Sequence, residues 1–497
     1  MADDFRRFDP RSHAPVRQLA EQALSRTAGA PLVPGNEVRL LKDAAENYPT
    51  WLAAIAGARR TIFFENYIIA DDAAGQRFAA ALAERARAGV QVRVMYDWVG
   101  GCGLGSHKVL APLAAAGGEV RAFNAPSLGS PFGWMQRDHR KMMSVDGRVG
   151  FVSGLCVSSR WEGDVAQGIA PWRDTGIAIT GPAVADLERA FAQVWAAAGA
   201  PLPEDAFTDP ALMPHTGEVT LRVLANLPNY GNLYRLDQLI AAMATRTLWL
   251  TDAYYVGMAP YVQALRAAVQ DGVDVRLLVP GVSNLLAVST LSRAGYRSLL
   301  EAGIRVFEWN GPMLHAKTAV ADGRWARVGS TNLNIASWLG NYELDVAIED
   351  AGFATQMQEV YEEDLCNATE ILLSARNRVR PAVLPVQRER AKLRGHFRGS
   401  ASRAAAGALR IGNTVGAAMT NHRVLGPAEA GIMAAVALVM LVVVVIALLW
   451  PLAVVAPLAL LGAWIAVTLL LRAVVLRRQG TRDGESARRE RGPRGEP

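Results

Sequence analysis

The fold of this chain is decided by His315-Ala316-Lys317, followed by Asp322 and then by Gly329-Ser330-Thr331-Asn332. An earlier segment repeats the pattern as His139-Arg140-Lys141 followed by Asp146. The chain has 7 His and only five Lys among its 52 Lys and Arg residues, yet a Lys stands two residues after a His in both segments. The compact ammonium of Lys differs physically from the planar guanidinium of Arg. The matched segments therefore predict a site that requires Lys at both places.

Short β-rich runs alternate with amphipathic helical stretches along both halves of the chain. In the first half the pattern predicts strands at 37–41, 61–69 and 92–97, separated by helices at 43–58 and 74–88. Such an alternation is typical of an α/β fold with mostly buried strands.

The second half repeats the first. Gly89-Val90-Gln91-Val92-Arg93 corresponds to Gly272-Val273-Asp274-Val275-Arg276, an offset of 183 residues, and the two motif His residues are 176 apart. Similar offsets indicate one duplicated lobe with small insertions. We therefore predict two lobes that form one site at a pseudo-twofold interface. The predicted segments are an N-terminal leader (1–36), lobe 1 (37–200), a linker (201–217) and lobe 2 (218–375).

Each His-x-Lys pair predicts phosphodiester chemistry. On a strand, residues i and i+2 face the same side, so each His projects together with its Lys. Two imidazoles and two ammoniums then form an anion site. One His attacks phosphorus to give a phosphohistidine, while the other protonates the leaving alcohol and later deprotonates the incoming alcohol or water. The lysines hold the non-bridging oxygens, and Ser330 and Asn332 add hydrogen bonds to the same phosphate.

A nucleophilic imidazole also needs an acceptor on its other ring nitrogen. Glu343, in Asn341-Tyr342-Glu343, is a candidate for one His, and Asp174, in Trp172-Arg173-Asp174-Thr175, is a candidate for the other. We predict His139 as the nucleophile of this near-symmetric pair. No metal and no cofactor are predicted, because the sequence has no carboxylate cluster or His/Cys spacing that suits one.

The repeated His-x-Lys-x4-Asp motif, with Gly-Ser-x-Asn in lobe 2, resembles the phospholipase D superfamily and, within it, bacterial cardiolipin synthases. The resemblance covers roughly residues 37–370 and includes Glu65-Asn66-Tyr67. It implies a mixed sheet flanked by helices, a phosphatidyl-enzyme intermediate on one motif His, and supporting roles for Asp146 and Asp322. Lobe 1 departs from the family pattern, because Cys156 stands at the place of the Asn.

Beyond lobe 2 the chain becomes basic and then apolar. Residues 376–423 carry eleven Lys and Arg against one acidic residue, and residues 431–471 contain no charged residue, Asn, Gln or His. A spanning helix needs about 20 apolar residues, so this stretch has the length of two, with Trp450-Pro451 as the reversal. We predict a basic juxtamembrane region (376–428), a transmembrane hairpin (429–476) and a disordered tail (477–497). The positive-inside rule places the catalytic lobes on the cytoplasmic face of the inner membrane.

Three classes of function are consistent with the sequence. The first is a phosphatidyltransferase that makes cardiolipin from phosphatidylglycerol and a second phospholipid. The second is a hydrolase, either a phospholipase D that yields phosphatidic acid or a nuclease, and the third is a non-catalytic membrane scaffold. The two intact His-x-Lys pairs argue against a scaffold. The basic region beside the hairpin attracts anionic phospholipid, and its few aromatic residues argue against nucleic acid. A membrane-tethered site meets lipid acceptors at high local concentration, which favours transfer.

Overall fold

The computed structural model describes residues 14–126, 136–164, 167–203, 206–207, 213–373 and 379–381, together with scattered helical residues between 438 and 466. The chain divides into two compact units, and the first contains the described residues up to 381. The predicted tail, most of the predicted basic region and most of the predicted hairpin lie outside the described residues. No helix in the described part of the chain is both long enough and apolar enough to span a membrane.

The strands of the first unit form one sixteen-stranded sheet. They are β1 (Val33–Lys42), β2 (Thr61–Asn66), β3 (Gln91–Asp97), β4 (Glu119–Phe123), β5 (Lys141–Val145), β6 (Val149–Ser153), β7 (Thr175–Thr180), β8 (Val219–Asn226), β9 (Thr247–Thr251), β10 (Asp274–Pro280), β11 (Arg305–Trp309), β12 (Thr318–Ala321), β13 (Trp325–Gly329), β14 (Glu343–Ile348), β15 (Ala368–Leu373) and β16 (Val379–Pro381). The strands β2, β3 and β4 pair in parallel, as do β9, β10 and β11, whereas β5, β6 and β7 pair antiparallel. The predicted α/β fold with a mixed sheet is confirmed.

The strand order shows the duplication directly. Lobe 1 has the order β4-β3-β2-β5-β6-β7-β1, and lobe 2 repeats it as β11-β10-β9-β12-β13-β14-β8. The two halves meet where β1 pairs antiparallel with β8, with Val33 opposite Leu221 and Asn36 opposite Val219. An antiparallel junction between equivalent strands relates the lobes by a pseudo-twofold axis, so equivalent edges of both lobes face each other across it.

Helices cover both faces of the sheet. They are α1 (Ala14–Ala28), α2 (Asp43–Gly57), α3 (Ala73–Arg87), α4 (Trp98–Gly101), α5 (Ser106–Val109), α6 (Ala111–Ala115), α7 (Ser159–Glu162), α8 (Val184–Ala197), α9 (Asn232–Met243), α10 (Ala259–Gln270), α11 (Leu286–Glu301) and α12 (Ala351–Cys366). The lobe 1 face with α2 and α3 forms one apolar core, and the lobe 2 face with α9 and α10 forms another. The opposite faces of both lobes share a third core, to which α8 and α12 contribute.

The two lobes exchange contacts at this shared core. Helix α8 of lobe 1 contacts β8 of lobe 2, and α12 of lobe 2 contacts β1 of lobe 1. Arg173 adds a buried ion pair across the junction, with its Nε 2.8 Å from Asp364 Oδ1. The segment at 1–36 also contributes, because α1 packs against α9 and Leu24 is buried in the lobe 2 core. The lobes therefore fold as one unit, which holds their facing edges in a fixed register.

The motif aspartates occupy equivalent turns, between β5 and β6 and between β12 and β13. Asp146 and Asp322 adopt positive φ angles of 55° and 54°, which Asp tolerates better than most residues. Asp322 accepts hydrogen bonds from the backbone N–H groups of Thr245, Arg246 and Thr247, and Asp146 accepts them from the corresponding residues 59–61.

These turns lie at the far ends of β5 and β12 from the motif His residues, seven residues further along the chain. The motif groups Asp146 and Asp322 with the catalytic His and Lys residues, whereas the resemblance implies supporting roles for both. The structure corrects the catalytic grouping. Asp146 holds the residues that begin β2, Asp322 holds those that begin β9, and neither carboxylate has a hydrogen bond with a motif His.

We expect Asp322→Ala to destabilise the protein without changing the chemistry of its site. The substitution removes a charged acceptor from three backbone N–H groups and places Ala at positive φ, for a loss of about 2 kcal/mol in the free energy of unfolding. Denaturant unfolding measures this loss. Asp271→Ala is the control, because the exposed Asp271 side chain has no hydrogen-bond partner among the described residues. Equal stabilities for the two variants would contradict the turn role.

Candidate active site

Each motif His enters the site on a segment that pairs with the other lobe. The backbone N–H of His139 donates to the carbonyl of Tyr342 at 2.9 Å, and that of His315 donates to the carbonyl of Arg173 at 2.7 Å. Parallel bridges join Asp138 to Tyr342 and Arg173 to Leu314. The segment that leads into each motif His thus pairs with the other lobe. This pairing brings the two motifs together.

The carboxylates follow the same crossed pattern. His139 Nδ1 lies 2.9 Å from Glu343 Oε2, and His315 Nδ1 lies 2.8 Å from Asp174 Oδ2. In each pair the carboxylate accepts the Nδ1 proton, so the lone pair of the imidazole is on Nε2. Lys317 Nζ is 3.0 Å from His315 Nδ1, but two donors cannot share a hydrogen bond, and Asp174 is the acceptor.

Both carboxylates are themselves held by donors. Trp161 Nε1 donates to Asp174 Oδ2 at 2.8 Å, and Asn341 Nδ2 donates to Glu343 Oε1 at 3.1 Å. The Ser330 hydroxyl donates to Glu343 Oε2 at 2.5 Å. The sequence assigned that hydroxyl to a phosphate, but its one proton is used on Glu343, so the structure places Ser330 behind the carboxylate.

The lobe 1 position equivalent to Ser330 is Gly154. A Cβ atom there would lie 2.2 Å from Asp174 Oδ1. Glycine at this position therefore leaves the space that the Asp174 carboxylate occupies. The two half-sites therefore hold their carboxylates by different means.

The two lysines are deeply buried cations. Lys141 and Lys317 are each 1% exposed, and each Nζ donates to the carbonyl oxygen of its own motif His. The aromatic rings of Tyr67 and Tyr254 lie 5.1 and 5.8 Å from the respective Nζ atoms. Within the described ranges no carboxylate lies at ion-pair distance from either ammonium. Two buried positive charges without a direct carboxylate partner create a strong demand for an anion.

Burial sets the protonation of the imidazoles. It lowers the pKa of His139 to about 4 and that of His315 to about 3, and the two lysine charges lower both pKa values further, against the opposing effect of the carboxylates. Burial also lowers the pKa of Lys317 to about 8. Burial alone would raise the pKa of Asp174, but His315 and Lys317 hold it below its ordinary value. Both imidazoles are thus neutral at neutral pH.

Four aromatic side chains that surround the imidazoles were not assigned to the site from the sequence. The ring of Tyr67 is 4.9 Å from that of His139, whereas Trp161, Tyr254 and Trp172 have ring centroids 5.2, 5.7 and 5.8 Å from that of His315. All four lie far from the motifs in sequence. Only Tyr67 and Trp172 could have been identified from the sequence, because they lie in segments that resemble the family. These rings exclude water from the imidazoles and strengthen the electrostatic interactions between them.

Asn332 and Cys156 occupy equivalent positions in the two lobes. Asn332 is 3% exposed, and its side-chain Oδ1 has no hydrogen-bond partner among the described residues. The described residues also give the Nδ2 donor no acceptor, so that N–H group is the one available to a phosphate oxygen. Burial raises the pKa of the Cys156 thiol, which leaves it protonated at neutral pH. In the described part of the chain no three His, Cys, Asp or Glu side chains form a metal-binding group.

The crossed pairing predicts that each carboxylate controls only the His of the other lobe. In ¹⁵N NMR spectra of the imidazole rings, we expect Glu343→Gln to move the signals of His139 and leave those of His315, because the neutral amide is a weaker acceptor for the Nδ1 proton. Asp174→Asn should do the reverse, so the two variants are controls for each other. Perturbation of the same-lobe His by either variant would contradict the crossed arrangement.

Comparisons with known proteins identify relatives of this chain. A family described as "Cardiolipin synthase, PLD-like domain" matches residues 238–365. Cardiolipin synthase A of Pseudomonas aeruginosa is 34% identical over 367 residues, which are 72% of this chain and 73% of the relative. The enzyme of the same name from Pseudomonas fluorescens is 33% identical over 360 residues, 70% of this chain and 73% of the relative.

A solved structure shows the same fold at lower identity. The phosphatidylserine synthase of Haemophilus influenzae superimposes with a TM-score of 0.56 at 15% identity, and covers 71% of this chain and 91% of its own. At that identity the likeness concerns the fold alone. The identity of 34% over 72% of this chain shows that the chain belongs to the cardiolipin synthase family of phospholipase D-like phosphatidyltransferases.

Proposed function

We propose that this protein makes cardiolipin from phosphatidylglycerol and a second phospholipid through a phosphohistidine intermediate. The observation that carries the proposal is the pair of buried ammoniums beside two imidazoles, each imidazole oriented by a carboxylate. A phosphodiester supplies one negative charge and two non-bridging oxygens, which suit two point-like cations. The curated relatives are named for the same product.

In the first half-reaction Nε2 of one imidazole attacks phosphorus. We assign this role to His139, which is 9% exposed against 4% for His315 and so is the more accessible to a lipid phosphate. The new P–N bond forms as the bond from phosphorus to the head-group oxygen breaks. His315 gives its Nε2 proton to that oxygen, and free glycerol leaves.

In the second half-reaction the P–N bond breaks, and the proton moves to His315 instead of away from it. The neutral His315 takes the proton from a hydroxyl of the second phospholipid, whose oxygen attacks phosphorus. The P–N bond breaks, His139 regains its lone pair, and cardiolipin is released. Lys141 and Lys317 neutralise the charge that accumulates on the non-bridging oxygens, and Asn332 adds a hydrogen bond.

Charge balance supplies the proton for the general acid. Without a bound substrate both imidazoles are neutral at pH 7. A bound phosphodiester adds one negative charge, which raises the pKa of the imidazoles toward neutrality. Substrate binding therefore draws one proton into the site, and in the proposed mechanism His315 holds it.

Membrane attachment belongs to the same proposal. The described residues between 438 and 466 are helical, and apolar side chains among them are exposed, with Leu448 at 77%. Exposed leucines on helical turns suit contact with lipid. We propose that the C-terminal hairpin anchors the protein in the inner membrane and holds the catalytic lobes at its cytoplasmic face.

A product assay tests the reaction. Purified protein in liposomes with labelled phosphatidylglycerol and EDTA should yield cardiolipin and free glycerol. His139→Ala and His315→Ala should each lower the rate by roughly a thousandfold or more, because each removes a group that the chemical step requires. His215→Ala is the control, since His215 is exposed. Phosphatidic acid as the sole product would make the protein a hydrolase, and an active His139→Ala or His315→Ala variant would contradict the two-His mechanism.

The charge balance predicts proton uptake on binding. Because the pKa values of His139 and His315 lie at about 4 and about 3 in the empty site, both are deprotonated at pH 7. Calorimetric titration with a non-cleavable lipid phosphonate, repeated in buffers of different ionisation enthalpy, should show uptake of about one proton, with binding about tenfold tighter for each unit of falling pH. His315→Ala should bind without that uptake. Binding that is independent of pH between 6 and 7.5 would contradict the mechanism.

A further inference from the structure

The two half-sites differ at the residue that stands two positions before each motif His. Lobe 2 has Met313 there, which is buried with 2% exposed surface, and lobe 1 has Arg137, which is partly buried. A guanidinium nitrogen of Arg137 donates to the Tyr67 hydroxyl at 3.2 Å. The ring of Tyr67 lies 4.9 Å from that of His139. Arg137 therefore stands one side chain away from the imidazole of lobe 1.

The Arg137 guanidinium has hydrogen-bonding capacity to spare. Among the described residues no carboxylate forms an ion pair with it, and its bond to Tyr67 uses one of five N–H donors. Burial raises the pKa of the nearby Asp97 to about 7, and the charge of Arg137 opposes this rise. Its two carboxylate oxygens already accept from the backbone N–H groups of Gly100 and Asp138, at 2.8 and 2.9 Å.

The His315 side of the site has a different character. Trp161, Trp172 and Tyr254 enclose that imidazole with aromatic surface. Arg160, whose pKa is lowered by burial and affected by Asp72 and Tyr254, has interactions of its own with protein groups. Arg137 is thus a guanidinium beside the His139 half-site with no ion-pair partner among the described residues, whereas His315 is enclosed by three aromatic rings.

Transfer between two phospholipids brings a second phosphate to the site. Lys141 and Lys317 serve the phosphorus that is attacked, but an acceptor such as phosphatidylglycerol carries its own phosphodiester, a short glycerol chain away from the hydroxyl that reacts. Water, the competing acceptor, carries no phosphate. A cation near His139 that binds the acceptor phosphate therefore favours attack on the covalent intermediate by a lipid hydroxyl over attack by water.

We propose that Arg137 binds the phosphate of the acceptor phospholipid and so directs the intermediate toward transfer and away from hydrolysis. This inference rests on the proposed function. The planar fork of Arg suits bidentate contact with a phosphate, and the hydrogen bond to Tyr67 fixes its orientation. Arg137 is then a specificity-determining residue, because it selects the acceptor and takes no part in the attack on the donor.

The test compares acceptors with and without a phosphate. In liposomes of labelled phosphatidylglycerol, Arg137→Gln should lower the ratio of cardiolipin to phosphatidic acid about tenfold or more, since it removes charge-assisted hydrogen bonds to the acceptor. Total cleavage of the donor should stay close to that of the wild type. When free glycerol is the acceptor, the yield of exchanged phosphatidylglycerol should not change. Arg137→Lys, which keeps the charge, should restore part of the ratio.

Arg148→Gln is the matched control, because Arg148 is exposed in the turn between β5 and β6, at the far end of the strand from His139. An unchanged product ratio in Arg137→Gln would overturn the proposal, as would equal losses with phosphatidylglycerol and with glycerol as acceptor, which would place Arg137 on the donor. A wild-type protein that forms phosphatidic acid alone would contradict the proposed function itself, and that result is distinct from either outcome for Arg137.

Discussion

The site depends on one constraint, that each imidazole is held by the lobe that does not carry it. Glu343 of lobe 2 accepts from His139, and Asp174 of lobe 1 accepts from His315. The backbone carbonyl just before each carboxylate accepts from the backbone N–H of the same His. A single lobe therefore has an imidazole without its acceptor, and an acceptor without its imidazole. The continuous sheet and the exchanged contacts of α8 and α12 are what make the crossed pairs possible.

The buried lysines explain why so many neutral and anionic groups surround the site. An ammonium removed from water loses several kcal/mol of solvation unless nearby groups replace it. Here the replacement comes from main-chain carbonyls, the faces of Tyr67 and Tyr254, and the more distant charges of Asp174 and Asp252. This environment retains the cations without neutralising them directly. The remaining positive potential lowers the pKa of both imidazoles and attracts the phosphate, so binding and protonation are parts of one electrostatic balance.

Much of this arrangement was predictable from the sequence. The rest depended on side-chain contacts in the folded chain, which the spacing of residues in a motif does not give. The alternation of strand and helix predicted the α/β fold, and the duplication predicted a site between two lobes. The sequence also singled out Asp174 and Glu343, but it did not say which His each one serves, because the crossing arises from the antiparallel junction of β1 with β8. Ser330 was assigned to phosphate because a motif does not show which neighbour is nearest. Trp161 was missed because its hydrogen bond to Asp174 appears only in the folded chain.

The pattern of symmetry and asymmetry matches the reaction that we propose. Formation and breakdown of a phosphohistidine are the same displacement in opposite directions, with an alcohol leaving in one and an alcohol entering in the other, so a duplicated His-Lys core suits both. The two alcohols differ in what is attached to them, since one leaves as a small head group and the other belongs to a whole phospholipid. The lobes differ at the positions that surround the core: Arg137 against Met313, Cys156 against Asn332, and Gly154 against Ser330. Duplication thus accounts for the chemistry that is shared, and divergence around it provides the means to tell donor from acceptor.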